Sequence, residues 1–206
     1  MEIFRRMSSM FGYRGIPEEM RERVPAGQYV TPKMPVMNLR SAPRVSTADW
    51  KLRVTGLVER EVELDWDAFL ALAGTSEVVD FHCVTQWSRL NVAWEGLAVS
   101  TVLDLASPKP EARYVMVHSS DGYTTNLDLE ALRAPEVLFA RRMDGGPLEP
   151  NHGYPVRLVV PARYGWKSAK WVTGMELMAE NRPGFWETNG YHMRGDPWRE
   201  ERFSYA

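Results

Sequence analysis

The sequence predicts an α+β fold in which strands dominate, arranged in mixed sheets with short helices between them. Most apolar stretches alternate or run for about four to eight residues, as strands do. The helical patterns are short, and the regular strand–helix–strand alternation of a parallel sheet does not appear. The chain has 206 residues, of which 44% are hydrophobic and 25% charged. This composition is typical of a globular protein with a large core.

The elements follow in chain order from these patterns. The first 48 residues carry five prolines and little periodicity, so residues 1–48 are predicted to be an extended arm packed on a single body formed by residues 49–206. Short helices are predicted after the N-cap Asp65 as far as Ala73, at Ser100–Ala106 and at Asp128–Arg133. Strands are predicted at Leu52–Val58, Glu77–Val84, Tyr114–His118, Val137–Met143, Val156–Val160 and Ala169–Met178. Of these, the strands at Glu77–Val84 and Val156–Val160 are predicted to be buried.

Composition and motifs exclude several functional classes. The net charge is −2, with 25 basic against 27 acidic residues, whereas proteins that bind nucleic acid or anionic membranes usually have a basic excess. A single cysteine excludes an internal disulfide and a cysteine-rich zinc module. No phosphate-loop, dinucleotide-binding or serine-hydrolase motif is present. No apolar stretch of a signal peptide follows Arg5-Arg6, and no run of about 18 apolar residues occurs, so a cytoplasmic protein without a membrane span is expected.

The single cysteine, Cys83, lies in Asp80–Ser88, where a hydrophobic stretch gives way to polar residues. A lone cysteine at such a place is most often a buried free thiol. The functional alternatives are a nucleophile and a single soft metal ligand, which is sufficient where a cofactor supplies the other donors. The spacing alone does not decide between them.

A second group of residues is cationic. Within fourteen residues the chain places Arg157, Arg163, Lys167 and Lys170. Gly165 lets the backbone approach a ligand, and Ser168 adds a hydroxyl. A phosphate group suits this arrangement, and a solvated basic edge fits it equally well. The aromatic residues between the cations also allow a third, weaker interpretation as a binder of single-stranded nucleic acid.

Two ordered motifs carry a resemblance to a known family. They are Phe81-His82-Cys83-Val84 with Trp87-Ser88, and His152–Pro161 followed by Gly165–Lys170. Together they resemble the molybdopterin-binding domain of the sulfite oxidase family, especially its small bacterial members related to the catalytic subunit of periplasmic methionine sulfoxide reductase. The resemblance implies a sulfite oxidase-like molybdopterin-binding fold, a molybdenum–molybdopterin cofactor, and an oxidoreductase that transfers an oxygen atom to or from a small substrate such as a sulfoxide or sulfite.

The resemblance also implies roles for individual residues. Cys83 matches the molybdenum ligand, and Tyr123 aligns with an active-site tyrosine of sulfite oxidases. The other cofactor contacts that it implies are Asn38, His118, His152, Arg157, Ser168 and Lys170. The glycine-bounded, polar-aromatic segment 184–192 is predicted to be either a lid on the pocket or a surface wrap.

The sequence departs from the family in ways that leave the substrate open. Met37 stands where sulfite oxidases carry a sulfite-binding arginine, although Arg40 is close enough in sequence to reach the pocket. The dimerisation domain, the haem module and the twin-arginine export signal of related proteins are not found. Besides a small-molecule oxygen donor or acceptor, a separate redox protein or a membrane haem subunit is therefore an expected partner. The competing interpretation is a non-catalytic pterin or molybdenum-cofactor carrier protein.

Overall fold

Residues 16–204 are described by a computed structural model and contain eleven strands and four short α-helices. The helices are α1 (Trp66–Ala71), α2 (Val99–Ala106), α3 (Leu129–Leu132) and α4 (Phe185–Thr188), with 3₁₀ turns at Glu18–Arg23, Pro150–His152 and Gly165–Lys167. The strands are β1 (Tyr29–Val30), β2 (Lys51–Gly56), β3 (Val62–Asp65), β4 (Thr75–His82), β5 (Trp87–Ala98), β6 (Tyr114–Ser119), β7 (Thr124–Asp128), β8 (Leu138–Met143), β9 (Gly146–Pro147), β10 (Arg157–Val159) and β11 (Val172–Met178). The predicted α+β class is confirmed.

The first sheet is organised around β5, the longest strand. Its order is β1-β5-β8-β10, with β4 also paired to β5 and β9 to β8. β5 pairs antiparallel with β4 and β8 and parallel with β1. This strand was not predicted from the sequence, because its partners change along its length and Asn91 interrupts it with a φ of 54°. Its burial therefore does not follow the simple alternation of a half-buried strand.

The second sheet has the order β3-β2-β11-β6-β7. β2 and β11 run parallel, and the other pairs are antiparallel. β2 ends at Gly56, two residues before the predicted Val58. At Gly56 the backbone has a φ of +85°, and a Cβ there would lie 2.3 Å from the carbonyl oxygen of Leu177. Only glycine fits this close crossing between the two strands.

Two apolar clusters form the core. The larger one takes residues from both sheets and from α2, for example Leu97 of β5, Leu52 of β2 and Leu103 of α2. The smaller one surrounds Cys83 and includes Phe81 and Trp94. Among residues 16–204 no helix is long and apolar enough to cross a membrane.

Several predicted elements need correction. β4 is not a buried strand, since Val78 is 65% exposed and burial becomes continuous only at Phe81 and His82. Among the strands of residues 16–204, β4 pairs only with β5, and its other edge has no strand partner in this part of the chain. The predicted strand at Ala169–Met178 begins only at Val172, because Trp171 has a φ of 53° and breaks the extended conformation.

The described part of the predicted arm, residues 16–48, packs against the first sheet. Tyr29 and Val30 pair with Trp87 and Ser88 of β5. The Arg23 guanidinium donates to Asp80, at 2.6 and 2.9 Å. The prediction about Arg5-Arg6 lies outside the described residues.

Candidate active site

A cavity of about 180 Å³ lies between the arm, the turn after β4 and the segment that leads into β11. His118 is the one predicted site residue that the structure does not bring to it: this side chain lies on β6, with Nε2 3.7 Å from Glu176 Oε2. Arg40 is exposed and does not line the cavity either. The predicted residues that do line it are Asn38, Cys83, Tyr123, His152, Arg157, Ser168 and Lys170.

Cys83 lies in the tight turn that joins β4 to β5. Its N–H donates to the carbonyl of Trp87 at 2.8 Å, and its carbonyl accepts from the N–H of Gln86 at 3.1 Å. From the arm, Gln28 Nε2 donates to the same carbonyl at 3.0 Å. The thiol is 3.2 Å from the Thr85 hydroxyl, and burial raises the pKa of this thiol. The backbone thus fixes a single buried thiol at the wall of the cavity.

Arg157 is a buried cation. Its guanidinium donates to the carbonyls of His152 and Ser168, at 3.1 and 3.2 Å. It also lies over the rings of Phe81 and Trp94, 5.4 and 5.1 Å from their centroids. Burial lowers the pKa of Arg157 to about 10, because a low-dielectric environment disfavours the charged form.

Lys170 is the second cation at the cavity and connects it to the arm. Its amine donates to the carbonyls of Met37 and Asn151, at 2.8 and 3.1 Å, and to the side-chain oxygen of Asn38. Burial and then the nearby Arg157 charge lower the pKa of Lys170 to about 7, and Asp121 opposes this effect. The amine is therefore close to losing its proton at neutral pH.

The predicted cluster of four cations divides into two pairs. Lys167 is fully buried and forms an ion pair with Glu187 at 2.6 Å. Arg163 has Nη2 3.5 Å from Asp128 Oδ2. Neither lines the cavity. The four cations that lie close together in sequence therefore do not form one site, because acidic partners distant in sequence neutralise two of them.

Gly153 allows the two remaining cations to approach each other. It follows the 3₁₀ turn that contains His152, and a cis peptide bond joins Tyr154 to Pro155 one residue later. With a φ of +111°, a Cβ on Gly153 would lie 2.9 Å from the Cβ of Arg157 and 3.2 Å from that of Lys170. The Ser168 hydroxyl accepts from the N–H of Val160 at 3.0 Å, so its proton remains free for another acceptor.

Tyr123 lines the cavity, and its hydroxyl group forms a hydrogen bond with the protein backbone. The hydroxyl donates to the carbonyl of Trp166 at 2.6 Å. Burial and then the Glu187 charge raise the pKa of Tyr123 well above 10. The phenol therefore stays protonated at neutral pH.

Three aromatic residues that sequence reasoning did not assign to the site complete the cavity: Trp166, Trp186 and Tyr191. The rings of Trp186 and Tyr191 stack at 4.8 Å, and Tyr191 meets Trp166 edge-on at 5.0 Å. Two of the three come from the segment 184–192, whose aromatic, glycine-bounded composition was the available signal. The sequence did not show which of its aromatic residues turn inward.

The residues present fit a thiolate-bound metal with an anionic cofactor. Arg157 and Lys170 have only neutral acceptors as hydrogen-bond partners within residues 16–204. Two such cations, one of them fully buried, call for an anion between or beside them. In the same part of the chain no group of three or more metal-binding side chains occurs, so a metal bound by Cys83 would need a non-protein group to complete its coordination.

Comparison with known proteins agrees with this chemistry. Residues 39–186 match the model of the oxidoreductase molybdopterin binding domain. The uncharacterized oxidoreductase YuiH of Bacillus subtilis is 44% identical over 184 residues, 89% of this chain and 93% of the relative. The catalytic subunit of protein-methionine-sulfoxide reductase from Campylobacter jejuni is 28% identical over 178 residues, 78% of this chain and 59% of the relative.

The fold has a solved counterpart. The sulfane dehydrogenase SoxCD of Paracoccus pantotrophus matches 68% of this chain and 40% of its own, with a TM-score of 0.62 and 24% identity. From the family match over most of its length, the chain belongs to the oxidoreductase molybdopterin binding domain family and is a molybdopterin-dependent oxidoreductase whose cofactor is molybdenum–molybdopterin.

Proposed function

We propose that this protein reduces a neutral sulfoxide by oxygen-atom transfer. The observation that carries the proposal is the character of the cavity around Cys83. Among the described residues that line it, the charged ones are Asp121, Arg157 and Lys170, and the rest is largely aromatic or apolar. Met37, at the position where the sulfite oxidases that the sequence resembles have an arginine, is neutral and half exposed beside the cavity.

Each polar residue that was predicted from the sequence and lines the cavity has a role in this proposal. Cys83 is the protein ligand of the metal, since a thiolate is a strong donor to soft or high-valent transition metals. The anionic part of the pterin is held by the residues Asn38, His152, Arg157, Ser168 and Lys170. The bound cofactor supplies two-electron chemistry, and the protein supplies binding, orientation and electrostatics. The Tyr123 hydroxyl retains its proton, donates a hydrogen bond to the Trp166 carbonyl, and leaves a neutral ring facing the cavity.

A sulfoxide takes up two electrons and two protons, its S–O bond breaks, and a sulfide and one water molecule are formed. The electrons come from an external donor, and we propose a separate redox protein as that donor. The names of relatives support the sulfoxide, since proteins 28% and 30% identical to this chain are protein-methionine-sulfoxide reductase catalytic subunits. The chain spans 59% and 49% of their lengths.

The test uses the protein loaded with cofactor and reduced benzyl viologen as the electron donor. We expect oxidation of the viologen on addition of dimethyl sulfoxide or methionine sulfoxide, with the sulfide as product. Sulfite with ferricyanide as the acceptor tests the opposite direction on an anionic substrate. Turnover of sulfite without turnover of any sulfoxide would refute the proposal. Full molybdenum and pterin content with no turnover in either direction would favour the carrier interpretation.

A further inference from the structure

The rings of Trp186 and Tyr191 form one wall of the cavity, here called the aromatic wall. They belong to the segment 184–192, which the family match does not fully include. The match ends at residue 186, so Tyr191 is outside it. Tyr191 stacks on Trp186 with an angle of 20° between the ring planes, and it meets Trp166 at 80°. All three rings line the cavity that contains Cys83.

A buried polar cluster fixes this wall in place. Oε1 of Glu187 accepts from Lys167 Nζ at 2.6 Å, from Trp166 Nε1 at 2.8 Å and from Thr125 Oγ1 at 3.1 Å. The side chains of Lys167 and Glu187 are both 0% exposed. Glu187 directly follows Trp186 in sequence, and Lys167 directly follows Trp166. The ion pair therefore joins the two backbone segments that carry the aromatic rings.

Lys167 makes further contacts that bind the end of the segment. It donates to the backbone and side-chain oxygens of Asn126, at 2.8 and 2.9 Å, and to the carbonyl of Met193 at 2.7 Å. Buried ion pairs contribute little net stability compared with apolar residues of the same size. An ion pair with this many directional contacts instead fixes the position of the backbone around it. Here it fixes residues 186–193.

We infer that the stacked rings of Trp186 and Tyr191 form a substrate-binding wall that selects neutral, methyl-bearing sulfur compounds over oxyanions, and that the Lys167–Glu187 pair positions this wall. This inference rests on the proposed function. The face of an aromatic ring carries partial negative charge, so it disfavours a sulfite or nitrate ion. The methyl groups and the sulfur atom form the positive end of a sulfoxide, and sulfur makes favourable contacts with aromatic rings.

The test compares two oxygen acceptors with one electron donor. For each variant, kcat/KM is measured for dimethyl sulfoxide and for nitrate with reduced benzyl viologen, and molybdenum and pterin contents are determined. Tyr191→Leu should lower the sulfoxide-to-nitrate ratio by roughly three- to tenfold, the size expected for one sulfur–aromatic contact. Tyr191→Phe, which retains the ring, should keep the ratio within about twofold. Trp198→Leu removes an exposed aromatic residue that does not line the cavity and is the second control.

The role of the ion pair needs a separate measurement. Glu187→Gln leaves Lys167 buried without a counter-charge, and the double variant Lys167→Met/Glu187→Leu avoids this and is expected to fold. In the double variant the KM for dimethyl sulfoxide should rise about tenfold while kcat changes less than about twofold, because the loosened wall binds substrate less well without altering the reacting centre. An unchanged KM in this variant would overturn the positioning role.

A binding measurement separates this inference from the proposed function. Dimethyl sulfone, which is a non-reducible analogue, is titrated by intrinsic tryptophan fluorescence against wild type and Tyr191→Leu, with sulfate as the anionic competitor. Weaker sulfone binding by Tyr191→Leu at unchanged cofactor content would support the wall even if no sulfoxide were reduced. If the wild type reduced sulfoxides and Tyr191→Leu had an unchanged ratio and unchanged sulfone binding, the inference would fail while the proposed function stood.

Discussion

Replacing Gly153 with alanine should destabilise the protein and disturb the cofactor site together. The backbone at Gly153 has a φ of +111°, a region that costs an L-residue about 1–3 kcal/mol. The new methyl group would lie 2.9 Å from the Cβ of Arg157 and 3.2 Å from that of Lys170. Crowding of this kind adds about 1–3 kcal/mol. The expected loss in the free energy of unfolding is therefore about 2–6 kcal/mol, measured by urea denaturation of the cofactor-free protein.

Gly145→Ala is the matched control for this prediction. Gly145 also has a positive φ, +78°, but a Cβ there would have no neighbour within 4 Å. This variant should lose only the conformational part, about 1–3 kcal/mol, and keep its pterin content. Gly153→Ala should in addition retain less pterin after purification, because the methyl group pushes Arg157 and Lys170 apart. Equal losses of stability and equal pterin contents in the two variants would show that the close approach at Gly153 has no role.

Three further predictions concern single side chains. Cys83→Ser should keep the near-ultraviolet circular dichroism of the cofactor-free wild type but lose molybdenum, and a variant with full metal content would contradict the role of the thiol as ligand. Lys170, whose pKa is about 7, should bind sulfate best below pH 7, where its amine is protonated. Above pH 7 the affinity for sulfate should fall by up to about tenfold per pH unit. Isothermal titration calorimetry should show no such pH dependence for Lys170→Met. Burial lowers the pKa of His82 to about 4, so the folded state resists protonation while the unfolded state accepts it below about pH 6.5. Unfolding free energy should then fall by up to roughly 3 kcal/mol between pH 6.5 and pH 4, less in His82→Gln, as measured by urea titrations at several pH values.

Elements with a regular local pattern were predictable from the sequence. The alternation in β2 and the continuous apolar run around β10 gave their positions within about two residues. Asp65 caps α1 as expected, since its carboxylate accepts from the N–H of Ala68 at 2.9 Å. β5 was not predictable in this way, because its burial is set by which neighbours cover each part of it, and those neighbours come from distant parts of the chain.

In the candidate site, too, features that are local in sequence were predictable, and features that depend on distant residues were not. The two motifs that hold Cys83 and Arg157 were visible because each is continuous in sequence and has a characteristic composition. The neutralisation of Lys167 by Glu187 was not visible, since the two residues are close only in the folded chain. His118 was assigned to the site from the family resemblance, whereas the structure places this side chain beside Glu176 on the second sheet.

The parallel pairing of β2 with β11 determines when the fold can be completed. Register partners such as Arg53 and Gly174, or Val54 and Met175, are far apart in sequence, and contacts between such distant residues form slowly. During synthesis the centre of the second sheet stays open until β11 has left the ribosome. Arg157 and Lys170 precede β11 in the chain, so both of these cations have been synthesised before the sheet closes. We therefore expect late folding, with a barrier sensitive to substitutions along β11, as stopped-flow refolding would measure.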